Sequence, residues 1–114
     1  MIAIGAQVRI FVFSHHTDMR KSFQGLSGLV AKHFGDALLS GHLFLFFNRR
    51  RDHLKILYFD NDGLAIWYKR LEAGSFQQPA CTQDAMEIDH TDLSLLLSGI
   101  DLNSAKRRKR YKVA

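Results

Sequence analysis

Arg49, Arg50 and Arg51 stand together in one short polar break between two apolar runs. Lys55 lies in the run that follows, and Lys69 and Arg70 close the next one. Arg20 and Lys21 stand earlier, beside Thr17 and Asp18. Adjacent guanidiniums repel one another and gain little from a local fold. Such a turn is either solvated, with partners among Asp52, Asp60 and Asp62, or a contact for phosphates. The surrounding runs carry Phe44, Phe46, Phe59 and Trp67, so cations alternate with aromatics. That pairing suits a surface that meets a polyanion better than it suits an active site.

A second basic run, Lys106, Arg107, Arg108, Lys109 and Arg110, lies near the C-terminus with Tyr111 and Lys112. It has no apolar stripe. It reads either as a phosphate-backbone contact without sequence preference or as a solvated, disordered terminus. The charge is uneven. Residues 1–100 hold equal numbers of acidic and basic side chains, so residues 101–114 carry the whole net charge of +5.

The acids offer little chemistry. Metal-dependent strand transfer places carboxylates around two ions about 4 Å apart. Asp18, Asp60, Asp62 and Glu72 are the candidates. Asp60 and Asp62 flank Asn61 before Gly63, where turn geometry alone favours aspartate. The same run superficially matches a calcium loop, but Leu71 stands where its last glutamate is needed. The histidines at 15, 16, 33, 42, 53 and 90 show no spacing that chelates one ion well. The single Cys81 excludes an intramolecular disulfide and a cysteine-based zinc site. No nucleophile elbow or phosphate-cradling glycine loop is present. No catalytic residue, metal or cofactor is expected.

The elements that position these residues are legible in the apolar spacing. Val8 to Phe13 reads as a strand. Thr17 reads as a helix N-cap, with Asp18 in the first turn. Met19, Phe23, Leu26, Val30 and Phe34 then form one stripe of a helix that stops near Gly35. Gly25 and Gly28 weaken that helix and are read as letting it approach the sheet closely. Residues 42–71 form a three-strand meander, with turns at Asn48 to Arg51 and Asp60 to Gly63. Leu54, Ile56 and Tyr58 share one face of the middle strand. Lys69 and Arg70 point to opposite faces of the last. Ser75 to Pro79 reads as a short edge segment, since proline cannot donate to a ladder. Residues 80–87 read as the least structured part. Thr91 reads as the cap of a short helix that ends at Gly99.

The expected architecture is one α+β domain over residues 1–102, ordered strand, helix, three or four strands, helix, with a mostly antiparallel sheet. Residues 103–114 form the basic tail. The length suits one domain with one core. No apolar run reaches the length of a membrane span, and Met1 to Ile4 lacks a basic leader, so a cytoplasmic protein is expected.

In order, the chain reads Thr17-Asp-Met-Arg-Lys-Ser-Phe-Gln-Gly-Leu26, Ser40-Gly-His-Leu-Phe-Leu-Phe46, Arg50-Arg51, Lys55-Ile-Leu-Tyr58, Asp60-x-Asp-Gly63, Tyr68-Lys-Arg-Leu-Glu-x-Gly-x-Phe76 and Leu95-Leu-Leu-x-Gly-Ile100. These strings resemble the TnpB-type accessory protein encoded by the second reading frame of insertion sequences in the sixty-six group. (That family is unrelated to the RNA-guided nuclease sharing the TnpB name.) The likeness spans roughly residues 5 to 102. It departs at Gln78-Pro79, where the family usually has a tryptophan before the proline, and the basic tail lies outside the shared core. The resemblance implies a bacterial mobile-element protein acting in transposition beside a separate, larger transposase.

Three functions are open at this point. The first is a non-catalytic DNA-binding or assembly factor. It would engage element ends, or DNA without preference, through Arg20, Lys21, Arg49, Arg50, Arg51, Lys55, Lys69, Arg70 and Lys106 to Arg110. The second is a protein–protein module that docks the transposase, or a second copy of itself, through Phe44, Phe46, Phe59 and Trp67. The third is a small metal-dependent nuclease using Asp60, Asp62 and Glu72.

Overall fold

The computed structural model describes residues 4–99. Strand β1 (Ile10–Phe13) leads to helix α1 (Phe23–Phe34) and a 3-10 turn at Gly35–Ser40. Strands β2 (Leu43–Phe47), β3 (His53–Asp60) and β4 (Gly63–Arg70) follow as the expected meander. Strand β5 (Ala85–Ile88) and helix α2 (His90–Ser98) complete the order. The sheet runs β4-β3-β2-β1-β5. Among the described residues only β1 and β2 pair in parallel, because α1 carries the chain back between them. The other pairings are antiparallel. This is the α+β domain the sequence implies.

Both faces of the sheet are covered. Leu26 and Val30 of α1 bury against Phe11, Phe13, Phe44, Phe46 and Leu57. The two phenylalanine pairs stack across the parallel ladder, Phe13 on Phe46 at 4.6 Å and Phe11 on Phe44 at 5.5 Å between centroids. Phe34 packs against Phe11 at 4.7 Å. On the other face, Leu93 and Leu96 of α2 join Ile10, Val12, Leu45, Leu54, Ile56 and Phe76. The alternation works as expected: Leu54 opposes Lys69 and His53 opposes Arg70, so Lys69 lies on the α2 face and Arg70 on the α1 face.

Four local expectations are corrected. Helix α1 begins after Ser22, not at Thr17. Thr17 is buried, and its amide donates to the Phe47 carbonyl at 2.8 Å. That bond ties residues 14–22 across the end of the sheet, and Phe23, expected in the buried stripe, stays 45% exposed. Gly25 and Gly28 do not admit the sheet. The atoms nearest a Cβ on Gly25 would be those of the Lys21 side chain, from 3.1 Å, and one on Gly28 would meet nothing within 4 Å. The edge segment at Ser75 to Pro79 is not a strand. The edge strand is Ala85–Ile88, inside the stretch read as unstructured, and Ile88 opposes Ile10. Helix α2 is capped by Asp89, whose side chain accepts from the Asp92 amide, two positions before Thr91. It does end at Gly99, in the left-handed conformation.

No helix among the described residues is long and apolar enough to cross a membrane. The basic run at Lys106 to Arg110 lies outside the described residues.

Candidate nucleic-acid interface

The turn between β2 and β3 is built around Asn48. Its side-chain oxygen accepts from the amides of Asp52 and His53, each at 3.0 Å, and its amide nitrogen donates to the Asp52 carboxylate at 2.6 Å. This last bond holds the Asp52 carboxyl below the usual carboxylate range, with the nearby charges of His53 and Arg50 acting in the same direction. Arg51 takes a positive φ of 58° to close the turn. Its guanidinium donates to Gln78 at 3.1 Å, and Gln78 in turn donates to the carbonyls of Phe13 and Ser14. The Phe76 amide donates to the Arg51 carbonyl, and the Leu71 amide to that of Asp52. The turn is thus braced on several sides.

That bracing divides the three arginines. Arg51 is a structural tie. Arg49 and Arg50 are exposed, and neither donates to an acceptor among the described residues. They line an open groove of about 680 Å³. Asn48 and His53 share their wall, and His16, Thr17, Asp18 and Met19 form the opposite one. Two guanidiniums in no contact ion pair, on a turn fixed by its own hydrogen bonds, suit a phosphate oxygen from outside.

The opposite wall carries a neutralised pair. Asp18 and Arg20 form a bidentate ion pair, the Arg20 Nη2 lying 2.7 Å from the carboxylate, and the Arg20 amide donates to the same group at 2.9 Å. These bonds hold the Asp18 carboxyl down at about 2. Arg20 is therefore committed to Asp18. Lys21 is exposed and lines a neighbouring depression with His15, His33 and Asp84, which shares His16, Thr17 and Asp18 with the groove.

Lys55 is placed differently from the sequence expectation. It is buried on the α1 face, and its ammonium donates to the carbonyls of Met19 at 2.8 Å and Lys21 at 2.7 Å. It anchors the approach to α1 instead of meeting a ligand. The polar head on β3 satisfies two backbone acceptors that the loop would otherwise bury unpaired. Arg70 pairs with Glu72 at 3.1 Å and lines a third depression with His53 and Tyr68. His53 joins that depression to the groove. Lys69 faces the other side of the sheet, away from this surface.

Phe44 and Phe46 are fully buried and cannot meet a partner. Their place in the aromatic layer beneath α1 explains the strand pattern that suggested an exposed face. Phe59 and Trp67 are half-buried. The three acids of the nuclease reading do not meet. Asp60 pairs with Gly63 at one end of the β3–β4 hairpin, while Glu72 lies past the other end of β4, roughly 25 Å along the strand. No group of three His, Cys, Asp or Glu among the described residues is arranged to hold a metal ion.

Sequence reasoning missed Asn48, His16, His53 and Tyr68 as surface-shaping residues. Asn48 with Asp52 four residues on was the available signal, since both side chains bond turn amides readily.

The model of a family described as IS66 Orf2-like protein matches residues 8–107. The chain belongs to that family. It is 38% identical to the uncharacterized protein y4hO of Sinorhizobium fredii over 101 residues, covering 89% of this chain and 88% of that protein. It is 34% identical to the uncharacterized protein y4jC of the same organism over 112 residues, covering 95% and 92%. No solved structure matches. As an IS66 Orf2-like protein, the chain is an accessory protein associated with an insertion sequence, and the groove lies within the matched residues.

Proposed function

We propose that this IS66 Orf2-like protein acts in transposition as a non-catalytic factor that binds DNA through the groove between residues 16–19 and the turn at 48–52. The single observation that carries the reading is the pair of exposed arginines, Arg49 and Arg50, held on a braced turn with no ion pair or hydrogen bond at contact distance among the described residues. Several other cations are already held: Arg9 by Glu87, Arg20 by Asp18 and Arg70 by Glu72 at the surface, and the buried Lys55 by backbone carbonyls. Lys21 adds a further exposed charge beside the groove. Contacts of this kind position a protein on phosphates and carry no base information. Sequence preference, where the element needs it, then falls to the transposase as partner.

A retardation assay on element-end duplex tests the reading. Arg49→Gln with Arg50→Gln is expected to abolish the shifted complex at a salt concentration where wild type binds. Lys32→Gln, which removes an exposed charge on α1, is expected to leave it nearly unchanged. Equal binding by wild type and the double variant would remove the groove from the account.

A second reading keeps the transposase, or a second copy of the chain, as a docking partner. Trp67 supports it. This large side chain is half-buried on the α2 face, with Lys69 two positions further along the strand on the same side. Recovery of the transposase with Trp67→Ala is the discriminating measurement.

A further inference from the structure

We propose that the surface takes single-stranded nucleic acid, with the Tyr68 ring as a stacking platform for an unpaired base and Arg49 and Arg50 along the phosphate path. The inference rests on the nucleic-acid reading above and narrows its ligand.

Tyr68 is 50% exposed, an unusual state for an aromatic on a strand whose neighbours Ile66 and Trp67 are largely covered. The ring does not hang free. The Lys55 ammonium lies 4.8 Å from its centroid. That ammonium is itself fixed by the carbonyls of Met19 and Lys21. The Tyr68 hydroxyl bonds Nδ1 of His53, its diagonal neighbour across the hairpin, and the two rings lie 5.6 Å apart. The platform is therefore pre-ordered, and little side-chain freedom is lost when a base settles on it.

Two depressions adjoin at His53. Arg70 and His53 border the same depression as Tyr68, and His53 also lines the groove that holds Arg49 and Arg50. A backbone running from Tyr68 past His53 reaches the groove that Arg49 and Arg50 line. An open aromatic flanked by cations is the arrangement that recognises unpaired strands, because a duplex keeps its base faces stacked inside. Duplex binding needs the cations alone and leaves the exposed part of the ring uncovered.

Fluorescence anisotropy with the full chain tests this, using labelled oligothymidine of about 20 nucleotides and a mixed-sequence duplex of equal length. The single strand is expected to bind more tightly. Tyr68→Ala is expected to weaken single-strand binding about tenfold and duplex binding by less than about twofold. Tyr68→Phe, which keeps the ring, is expected to retain most of the affinity. Photo-crosslinking of wild type to a 5-iododeoxyuridine oligonucleotide is expected to label Tyr68, which covers the case where Tyr68→Ala fails to fold. Preference for duplex, equal losses on both ligands, or crosslinks confined to other residues would overturn the inference. Duplex binding that depends on Arg49 and Arg50 without strand preference would do so while leaving the groove in place. Failure to bind either nucleic acid would remove both readings.

Discussion

The Lys55 ammonium donates to the Lys21 carbonyl at 2.7 Å, so a buried cation on β3 holds the chain that enters α1. The same ammonium reaches Met19 at 2.8 Å. Lys55 thereby couples the sheet to the wall that faces Arg49 and Arg50.

Replacing it with an isosteric apolar side chain leaves two carbonyls without their donor. Lys55→Met is expected to lose about 2 kcal/mol of stability, the range for buried hydrogen bonds from a charged group. Urea unfolding reads this directly. A variant as stable as wild type would show that the anchor is dispensable.

Asp18 controls how much positive charge the groove presents. Its carboxyl sits at about 2, below the ordinary 3.8, because Arg20 donates to it from both side chain and backbone. A depressed folded value means that the pairing contributes above about pH 4 and is lost as pH falls through about 2. Carboxyl NMR of wild type is expected to show that low midpoint, and Arg20→Gln is expected to move it towards the ordinary value. Near neutral pH, Asp18→Asn releases Arg20 and removes a negative charge from the groove wall. It is expected to raise DNA affinity several-fold at low salt, and unchanged or weaker binding would contradict the electrostatic account.

Gly28 is a helical glycine with open space where a Cβ would be. Gly28→Ala is expected to stabilise the domain by about 1 kcal/mol through backbone propensity alone. Thermal unfolding checks it. A loss of stability would contradict the open space around that position.

Phe44 and Trp67 separate core from surface. Phe44 is fully buried between Phe11 and Phe34, and Phe44→Ala is expected to cost about 3–5 kcal/mol. Trp67→Ala is expected to remain folded, so its effect on transposase recovery can be interpreted. A folded, stable Phe44→Ala protein would undermine the placement of that layer.

The meander was legible because its period-2 alternation, aromatic content and turn residues all agree. The opposite facing of Lys69 and Arg70 follows from that alternation alone. Local signals failed where a distant contact decided the outcome. Thr17 has the chemistry of a cap, yet its amide goes to Phe47, thirty residues away. Lys55 looks like a surface cation until the loop before α1 folds over it. The β5 strand holds only four residues, Ala85–Ile88, too few for alternation to stand out, and it exists because β1 offers an open edge. The arginine cluster was visible, but the division between Arg51 as a tie and Arg49 and Arg50 as free donors depends on Gln78, twenty-seven positions along the chain.

The salt dependence of DNA binding decides whether Arg49 and Arg50 meet phosphates. Each phosphate contact contributes about 0.9 to the slope of log affinity against log salt on duplex DNA. Arg49→Ala with Arg50→Ala is expected to lower the slope magnitude by roughly 2 relative to wild type. An unchanged slope in a folded double variant would contradict the claim that these two arginines meet the phosphates.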